Sequence, residues 1–175
     1  MPDPLIKEHL PFFKRVSLFE NLSEEQILKI MRIMTHVEVK KGDMITREGE
    51  LGDTMFVLLK GEVEISKSLF LPQLAHEPSL QEKSLIKLNE KHYAFFGEMA
   101  LFLERPERSA SIKATRACTM AVLQKDKLLT VLNKEPYIGA IMYKNIAAEL
   151  TKRLIKSNQD ILKLTTAFSL ALEGE

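Results

Sequence analysis

The sequence contains a single cysteine, Cys118, and no tryptophan. One cysteine excludes an intrachain disulfide framework, and it also excludes a C-x-x-C metal site. No apolar run approaches the ~20 residues that are needed to span a bilayer. The N-terminus, Met1-Pro2-Asp3-Pro4, lacks the basic and then apolar pattern of a signal peptide. We therefore expect a cytoplasmic protein that has no membrane partner.

Neither sign of charge is in excess. The chain carries 25 basic and 24 acidic side chains, which give a net charge of +1. Proteins that bind nucleic acids or anionic membranes usually show a basic surplus, so we expect no nucleic acid partner. The 175 residues are 45% hydrophobic, which is enough to bury one substantial core. We expect one domain over residues 1–175.

Residues 1–36 predict a helical lead-in. Ser23 and Gln26 have the spacing of a capping box, which marks the start of a helix. Apolar residues then recur at helical spacing and predict one buried face. They are Ile27, Ile30, Met31 and Met34.

Residues 37–124 predict short antiparallel strands that are separated by glycine turns. The predicted strands are 37–39, 44–46, 54–59, 62–65 and 118–123. We expect positive φ at the glycines of these turns, which are Gly42, Gly49, Gly52 and Gly61. Prolines 72 and 78 interrupt residues 66–93, so we expect a long excursion between two strands there, with its tip at 72–82. Residues 83–88 are able to resume a strand.

Two helices are predicted for residues 125–170. The first covers 125–132 and ends near Pro136, and the second runs from Tyr137 to about Phe168, with Gly139 as its only glycine. The second helix is amphipathic, with apolar residues Ile138, Met142, Ile146, Leu150, Leu154, Ile161 and Leu164. Because its end has little sheet to pack on, we expect a homodimer through this helix. The alternative is that this end packs on its own domain or frays.

The segment 95–114 combines one carboxylate and one cation on a single loop. Glu98 follows Gly97, and Arg108 comes ten residues later, before Ser109 and other small residues. An arginine fork suits a phosphate because its planar donors bind oxyanions bidentately. Glu98 would repel that phosphate, but it would accept hydrogen bonds from hydroxyls at the other end of a ligand. The segment therefore predicts a ligand that has both a sugar and a phosphate.

Each of these two side chains also has an alternative interpretation. Arg108 is able to form a surface ion pair with Glu104 or Glu107, since such pairs are common. Glu98 is able to serve as a helix-start charge that the helix dipole favours. Both alternatives stay open at this point.

The order of elements resembles the cyclic-nucleotide-binding domain family, which includes the bacterial catabolite activator protein and the regulatory subunits of the cyclic-AMP-dependent kinase. The resemblance covers about residues 18–161. It is carried by Gly42-Asp43, Glu48-Gly49, Gly52-Asp53-Thr54-Met55-Phe56, Gly61-Glu62-Val63, Phe96-Gly97-Glu98-Met99-Ala100-Leu101 and Arg108-Ser109-Ala110. We call residues 96–110 the cassette.

The resemblance implies a mainly β fold with flanking helices. The expected architecture is a jelly-roll (a β-roll or double-stranded β-helix) over about 37–124, with N-terminal helices before it and a long C-terminal helix after it. The implied function is that of a regulatory sensor domain, not an enzyme. Its ligand would be cyclic AMP or cyclic GMP, with cyclic AMP favoured by a small margin, and no cofactor is implied.

The resemblance also implies a role for each cassette residue. Glu98 would accept the ribose 2′-hydroxyl, while Arg108 would pair with the cyclic phosphate and Ser109 would donate a hydroxyl. Arg153 lies near the position from which the C-terminal helix caps the purine, and its alternative is a solvated arginine. The implied ligand-binding residues are Phe96, Gly97, Glu98, Met99, Ala100, Arg108, Ser109, Ala110 and Arg153.

The sequence departs from the family before the cassette. The family usually has a short Gly/Asp turn there, whereas this chain reads Glu90-Lys91-His92-Tyr93-Ala94. A degenerate pocket on a protein-interaction or dimerisation module is therefore an alternative function.

Two further classes compete less well. A metal-dependent enzyme on a similar β-roll needs clustered ligands, whereas the histidines are isolated at positions 9, 36, 76 and 92. A transcription factor would need a helix-turn-helix after the long helix, and the chain is expected to lack one because it ends at Glu175.

Overall fold

Short helices precede the sheets in the computed structural model, which describes residues 8–69 and 81–173. Helix α1 is Leu10–Phe13, a 3-10 turn follows at Ser17–Phe19, and helix α2 is Glu24–Met31. The predicted capping box of α2 is confirmed. The Gln26 amide nitrogen donates to the Ser23 hydroxyl oxygen at 3.3 Å, and the Ser23 amide donates to Gln26 Oε1 at 2.8 Å.

Eight strands in the described residues form two antiparallel sheets, in the orders β1-β8-β3-β6 and β2-β7-β4-β5. This mainly β architecture with flanking helices confirms the predicted fold class. The strands are β1 Thr35–Val39, β2 Met44–Thr46, β3 Thr54–Lys60, β4 Glu62–Leu69, β5 Gln81–Asn89, β6 Phe95–Phe96, β7 Ser111–Ala114 and β8 Cys118–Gln124.

Two predicted boundaries were wrong. Strand β1 begins at Thr35, inside the predicted helical lead-in, because α2 already ends at Met31. The predicted excursion over 66–93 is largely a hairpin, since β4 continues to Leu69 and pairs along its length with β5. Polar residues such as Ser66 and Ser68 interrupt the alternation of apolar residues, so the sequence pattern does not indicate this ladder. Most of the predicted tip at 72–82 lies outside the described residues.

Buried side chains form two clusters, one on each side of β3. The first joins the outer face of its sheet to the helices and contains Phe13, Phe19, Ile27, Ile30, Met31, Met34, Met55, Val57, Met142 and Ile146. The second lies between the sheets and contains Phe56, Leu58, Val63, Phe96, Ile112 and Met120. The predicted apolar face of α2 is therefore part of the first cluster.

The chain continues from β8 into helix α3, Lys125–Lys134, and helix α4, Pro136–Glu173. Only the first part of α4 is buried on the domain. The side-chain amide of Asn145 fixes it there by donating to the carbonyl oxygens of Leu18 at 3.0 Å and Glu20 at 2.8 Å. Within residues 8–69 and 81–173, no helix is both long and apolar enough to cross a membrane.

Candidate functional site

The first half of the cassette is a strand that turns sharply into a short helix. Phe96 pairs with Phe56 in the ladder between β6 and β3, and their rings stack with centroids 5.4 Å apart. Gly97 follows with φ +82°, and the 3-10 turn Glu98–Leu101 begins directly after it. A Cβ at Gly97 would lie 2.7 Å from the Thr54 carbonyl oxygen. Glycine is therefore required here by conformation and by space.

The second half of the cassette is held by the loop between β2 and β3. The Arg108 amide donates to the Glu50 carbonyl oxygen at 2.8 Å, and the Gly49 amide donates to the Arg108 carbonyl oxygen at 2.9 Å. These two backbone hydrogen bonds fix the position of the arginine before β7 begins.

The guanidinium of Arg108 is bound to Thr54, not to the acidic residues of its own loop. Its Nη1 donates to the Thr54 carbonyl oxygen and its Nη2 to the Thr54 hydroxyl, both at 2.7 Å. A guanidinium has five N–H donors, so three of them are not used by these two bonds to Thr54. Burial lowers the pKa of Arg108 and the Asp53 carboxylate opposes that change, but arginine stays charged in proteins.

Gly52 has a different role from the predicted one. Positive φ occurs at Gly42, Gly49 and Gly61, as predicted, but not at Gly52. A Cβ at Gly52 would lie 2.3 Å from Arg108 Nε and 2.6 Å from its Cζ. The chain therefore needs glycine at this position to make room for the arginine side chain, which also lies against Gly97.

Glu98 is a buried carboxylate, and one of its two oxygens has a hydrogen-bond partner. The residue is 2% exposed, and its Oε1 accepts a hydrogen bond from Arg153 Nη1 at 2.9 Å. Its Oε2 has no hydrogen-bond partner within the described part of the chain. Burial raises the pKa of Glu98, and the Arg153 guanidinium opposes that shift. Because an unsatisfied buried acceptor is costly, Oε2 is an acceptor suited to a hydroxyl donor.

Arg153 brings helix α4 onto the cassette. Besides Glu98, it donates from Nη2 to the Phe95 carbonyl oxygen at 3.0 Å and from Nε to Glu149 Oε1 at 3.2 Å. Its guanidinium carbon lies 5.5 Å from the centroid of the Phe95 ring. The Arg153 side chain is therefore held by contacts within the chain and is not a freely solvated arginine. The neighbouring Leu154 is 60% exposed.

The remaining predicted residues line the same two segments. Ala100 is buried, whereas Met99 and Ser109 are exposed. The Ala110 carbonyl oxygen accepts a hydrogen bond from Thr46 Oγ1 at 3.3 Å. The structure thus places Arg108 against Gly97 and joins Glu98 to Arg153. The sequence analysis did not predict that Thr54 binds the Arg108 side chain. The position of Thr54 at the start of an apolar strand, directly after Gly52-Asp53, was the signal that could have indicated it.

An enzyme on a similar β-roll would need clustered metal ligands. Across residues 8–69 and 81–173, no group of three or more His, Cys, Asp or Glu side chains is arranged to hold a metal ion.

The sequence of the chain matches a known protein family. The model of the family described as "Cyclic nucleotide-binding domain" matches residues 36–135, more than half of the chain. The human cGMP-dependent protein kinase 2 is 31% identical over 171 residues, which cover 95% of this chain and 21% of the kinase. The first curated relatives are all much longer, and the chain spans 27% of their length or less.

Solved structures share the fold. The Thermus thermophilus catabolite activator protein superposes with a TM-score of 0.71 and 25% identity, over 85% of this chain and 63% of that chain. The structure described as "cAMP bound PfPKA-R" superposes with a TM-score of 0.61 and 27% identity, over 74% of this chain and 43% of that chain.

Proposed function

The chain belongs to the cyclic nucleotide-binding domain family, and on that premise we propose that it senses a cyclic nucleotide monophosphate and regulates an output without catalysing a reaction. One observation carries the proposal. A single cassette holds a buried carboxylate with an open acceptor, Glu98 Oε2, and a fixed guanidinium with spare donors, Arg108. That combination matches a ligand in which a ribose hydroxyl and a phosphate are joined in one small ring system.

In the proposed complex each end of the ligand has its own charged residue. Arg108 binds the cyclic phosphate through donors that Thr54 leaves free, and Ser109 adds a hydroxyl. Glu98 accepts the ribose 2′-hydroxyl at Oε2. Charge-assisted hydrogen bonds contribute about 1.5–3 kcal/mol each, so a few of them, together with base stacking, supply the roughly −8 kcal/mol of micromolar binding. Backbone N–H groups at the start of the turn after Gly97 would add donors close to the phosphate, although the Ala100 amide already donates to the Gly97 carbonyl oxygen at 3.2 Å.

We propose cyclic AMP as the preferred ligand, with cyclic GMP as the competitor. The relatives of the chain include proteins named for both nucleotides, since one is a cGMP-dependent kinase and one structure is described as cAMP bound. The Ser109 hydroxyl is able to donate or accept, so it is compatible with either purine. Direct comparison of the two affinities decides between them.

The signal is proposed to leave the site through Arg153. Ligand and helix meet at one carboxylate, because Arg153 holds Glu98 Oε1 while Oε2 is available to the ribose. Capture of the phosphate by Arg108 would tighten the cassette and bring α4 over the base. A ligand shifts such a helix only by its differential affinity for the two positions. Hydrogen exchange of α4 amides with and without nucleotide tests this step, and identical exchange would exclude it.

A second candidate function is an interaction module with a pocket that no longer binds. The approach to the cassette favours it, because Tyr93 takes a left-handed conformation at φ 49° where the family has a Gly/Asp turn. The Tyr93 ring packs against Phe12, with centroids 4.9 Å apart, and beneath the Arg15 guanidinium at 4.2 Å. These contacts tie the N-terminal helix to the strand that leads into the cassette.

Titration calorimetry of the wild type with cyclic AMP and cyclic GMP separates the two functions. We expect micromolar binding, and about a 100-fold loss in Arg108→Ala, because two charge-assisted bonds of roughly 1.5 kcal/mol are removed. Glu98→Ala should lose at least about tenfold. Arg105→Ala and Glu104→Ala make the same charge changes at exposed positions of the same loop and should bind like the wild type.

The outcomes are distinct. No heat with either nucleotide in the wild type would favour the interaction module. Unchanged affinity in Arg108→Ala would refute the site even if binding were real. The cytoplasmic location and the absence of nucleic acid and membrane partners stay predictions from the sequence.

A further inference from the structure

The middle of the cassette, between its two charged residues, is a surface loop. All of residues 102–105 are exposed. The Phe102 amide donates to the Met99 carbonyl oxygen at 3.1 Å, within the preceding turn. The Phe102 ring contacts Tyr143 with centroids 6.1 Å apart but stays 54% exposed. Apolar packing therefore gives little support to the end of the turn that presents the cassette carboxylate.

Lys125 supplies a hydrogen bond to this loop from outside the cassette. Its Nζ donates to the Leu103 carbonyl oxygen at 2.7 Å. Among the residues that the structure describes, this is the hydrogen bond that joins residues 102–105 to another secondary-structure element. Leu103 lies two residues after the turn Glu98–Leu101. The lysine therefore fixes where that turn ends.

The backbone of Lys125 is attached to the other half of the site. Its amide donates to the Asp53 carbonyl oxygen at 2.8 Å. Gln124, directly before it, is paired with Thr54 in the ladder between β3 and β8. Thr54 in turn accepts both hydrogen bonds from the Arg108 guanidinium. Lys125 therefore joins the anchor of the arginine to the end of the turn that presents the carboxylate.

Helix α3 does not explain the charge at this position. Lys125 is the first residue of α3, where the helix macrodipole disfavours a cation. Its side chain is half-buried, whereas Lys127 in the same turn of the helix is exposed. The bond to Leu103 accounts for the lysine, because a flexible four-carbon stem with an ammonium donor is able to reach a carbonyl oxygen on a neighbouring segment.

We propose that Lys125 is a positioning residue that sets the spacing between Glu98 and Arg108, and thereby the preference of the site for a ribose with a 2′-hydroxyl. The inference rests on the proposed function, because it concerns the same two charged side chains. Lys125 acts by holding the turn, so that Glu98 Oε2 stays at one distance from the arginine that Thr54 fixes. A cyclic phosphate fused to a ribose is rigid, so a site with matching fixed spacing binds it without a cost of reordering.

Loss of the lysine side chain should act on one end of the ligand only. The backbone amide of residue 125 still donates to Asp53 in any such variant except proline, so the anchor of Arg108 is retained. The turn that carries Glu98 becomes free to shift. The hydrogen bond to the ribose hydroxyl therefore weakens while the contact with the phosphate stays.

Titration calorimetry of the full chain with cyclic AMP and 2′-deoxy cyclic AMP tests this role. We expect the wild type to prefer the ligand with the hydroxyl by at least about tenfold, and Lys125→Met to lose about fivefold in affinity for cyclic AMP alone. Lys127→Met removes the same charge from the first turn of α3 and should bind both ligands like the wild type. In a Glu98→Ala background, Lys125→Met should cost no further affinity, because effects that pass through one residue are not additive.

Three results would contradict the inference. Unchanged affinity of Lys125→Met for cyclic AMP, or an equal loss for both ligands, would overturn the role of Lys125 and leave the proposed function intact. The same loss in Lys127→Met would show a general effect of charge and would also overturn it. A wild type that binds neither ligand would refute the proposed function and this inference together.

Discussion

Replacement of Gly52 by alanine is expected to weaken nucleotide binding without replacing any residue that is proposed to contact the ligand. The new Cβ would lie 2.3 Å from Arg108 Nε, 2.5 Å from Nη2 and 2.6 Å from Cζ. Contacts this short force the flexible arginine to move, and its two 2.7 Å bonds to Thr54 are then lost or distorted. Hydrogen bonds to charged groups contribute about 1.5–3 kcal/mol each. We expect about a 10- to 100-fold loss of affinity for the preferred nucleotide.

Gly42→Ala is the matched control for this prediction. Gly42 has φ +97°, and a Cβ there would meet no atom within 4 Å. Alanine at this position strains the backbone by about 1–2 kcal/mol, so the free energy of unfolding should fall while the affinity stays the same. The two variants therefore separate loss of stability from loss of the arginine.

Calorimetry and urea unfolding of both variants supply the measurements. If Gly52→Ala binds nucleotide as tightly as the wild type, then the position of Arg108 against Gly52 and Thr54 is not needed for binding. If Gly42→Ala loses affinity to the same extent, the effect of Gly52→Ala is a general loss of stability.

Asn145→Ala should lower the free energy of unfolding by about 1–3 kcal/mol, because it removes the donor to the carbonyl oxygens of Leu18 and Glu20; urea unfolding checks this, and a change below about 0.5 kcal/mol would contradict it. A pH series tests Glu98. Its pKa is raised by burial, so its contribution to stability is present below the ordinary pKa of 4.5 and is lost as pH rises through the raised value. Glu98→Gln should therefore gain stability relative to the wild type as the pH rises above 4.5, and more so in an Arg153→Ala background; a pH-independent difference would count against a raised pKa.

Short-range patterns predicted much of the chain correctly. The capping box at Ser23 and Gln26, the glycine turns at Gly42 and Gly61, and the two C-terminal helices depend on residues that are close in sequence. The hairpin of β4 and β5 was missed because its outer part is polar and partly solvated, so it carries no alternation of buried residues. Backbone hydrogen bonds between strands do not require particular side chains, so the amino-acid composition does not reveal such a ladder.

In the cassette, too, some features follow from the local sequence and others depend on tertiary packing. Its sequence by itself determined that a carboxylate at 98 and an arginine at 108 belong to one loop, because spacing and residue type are local properties. Only the tertiary structure decided that Thr54 holds the arginine and that Gly52 makes room for it, since β3 and the cassette are brought together by the ladder with β6. It also decided that Arg153 lies on Glu98, 55 residues away. Contacts at such separations depend on how whole elements pack, and no local pattern encodes them.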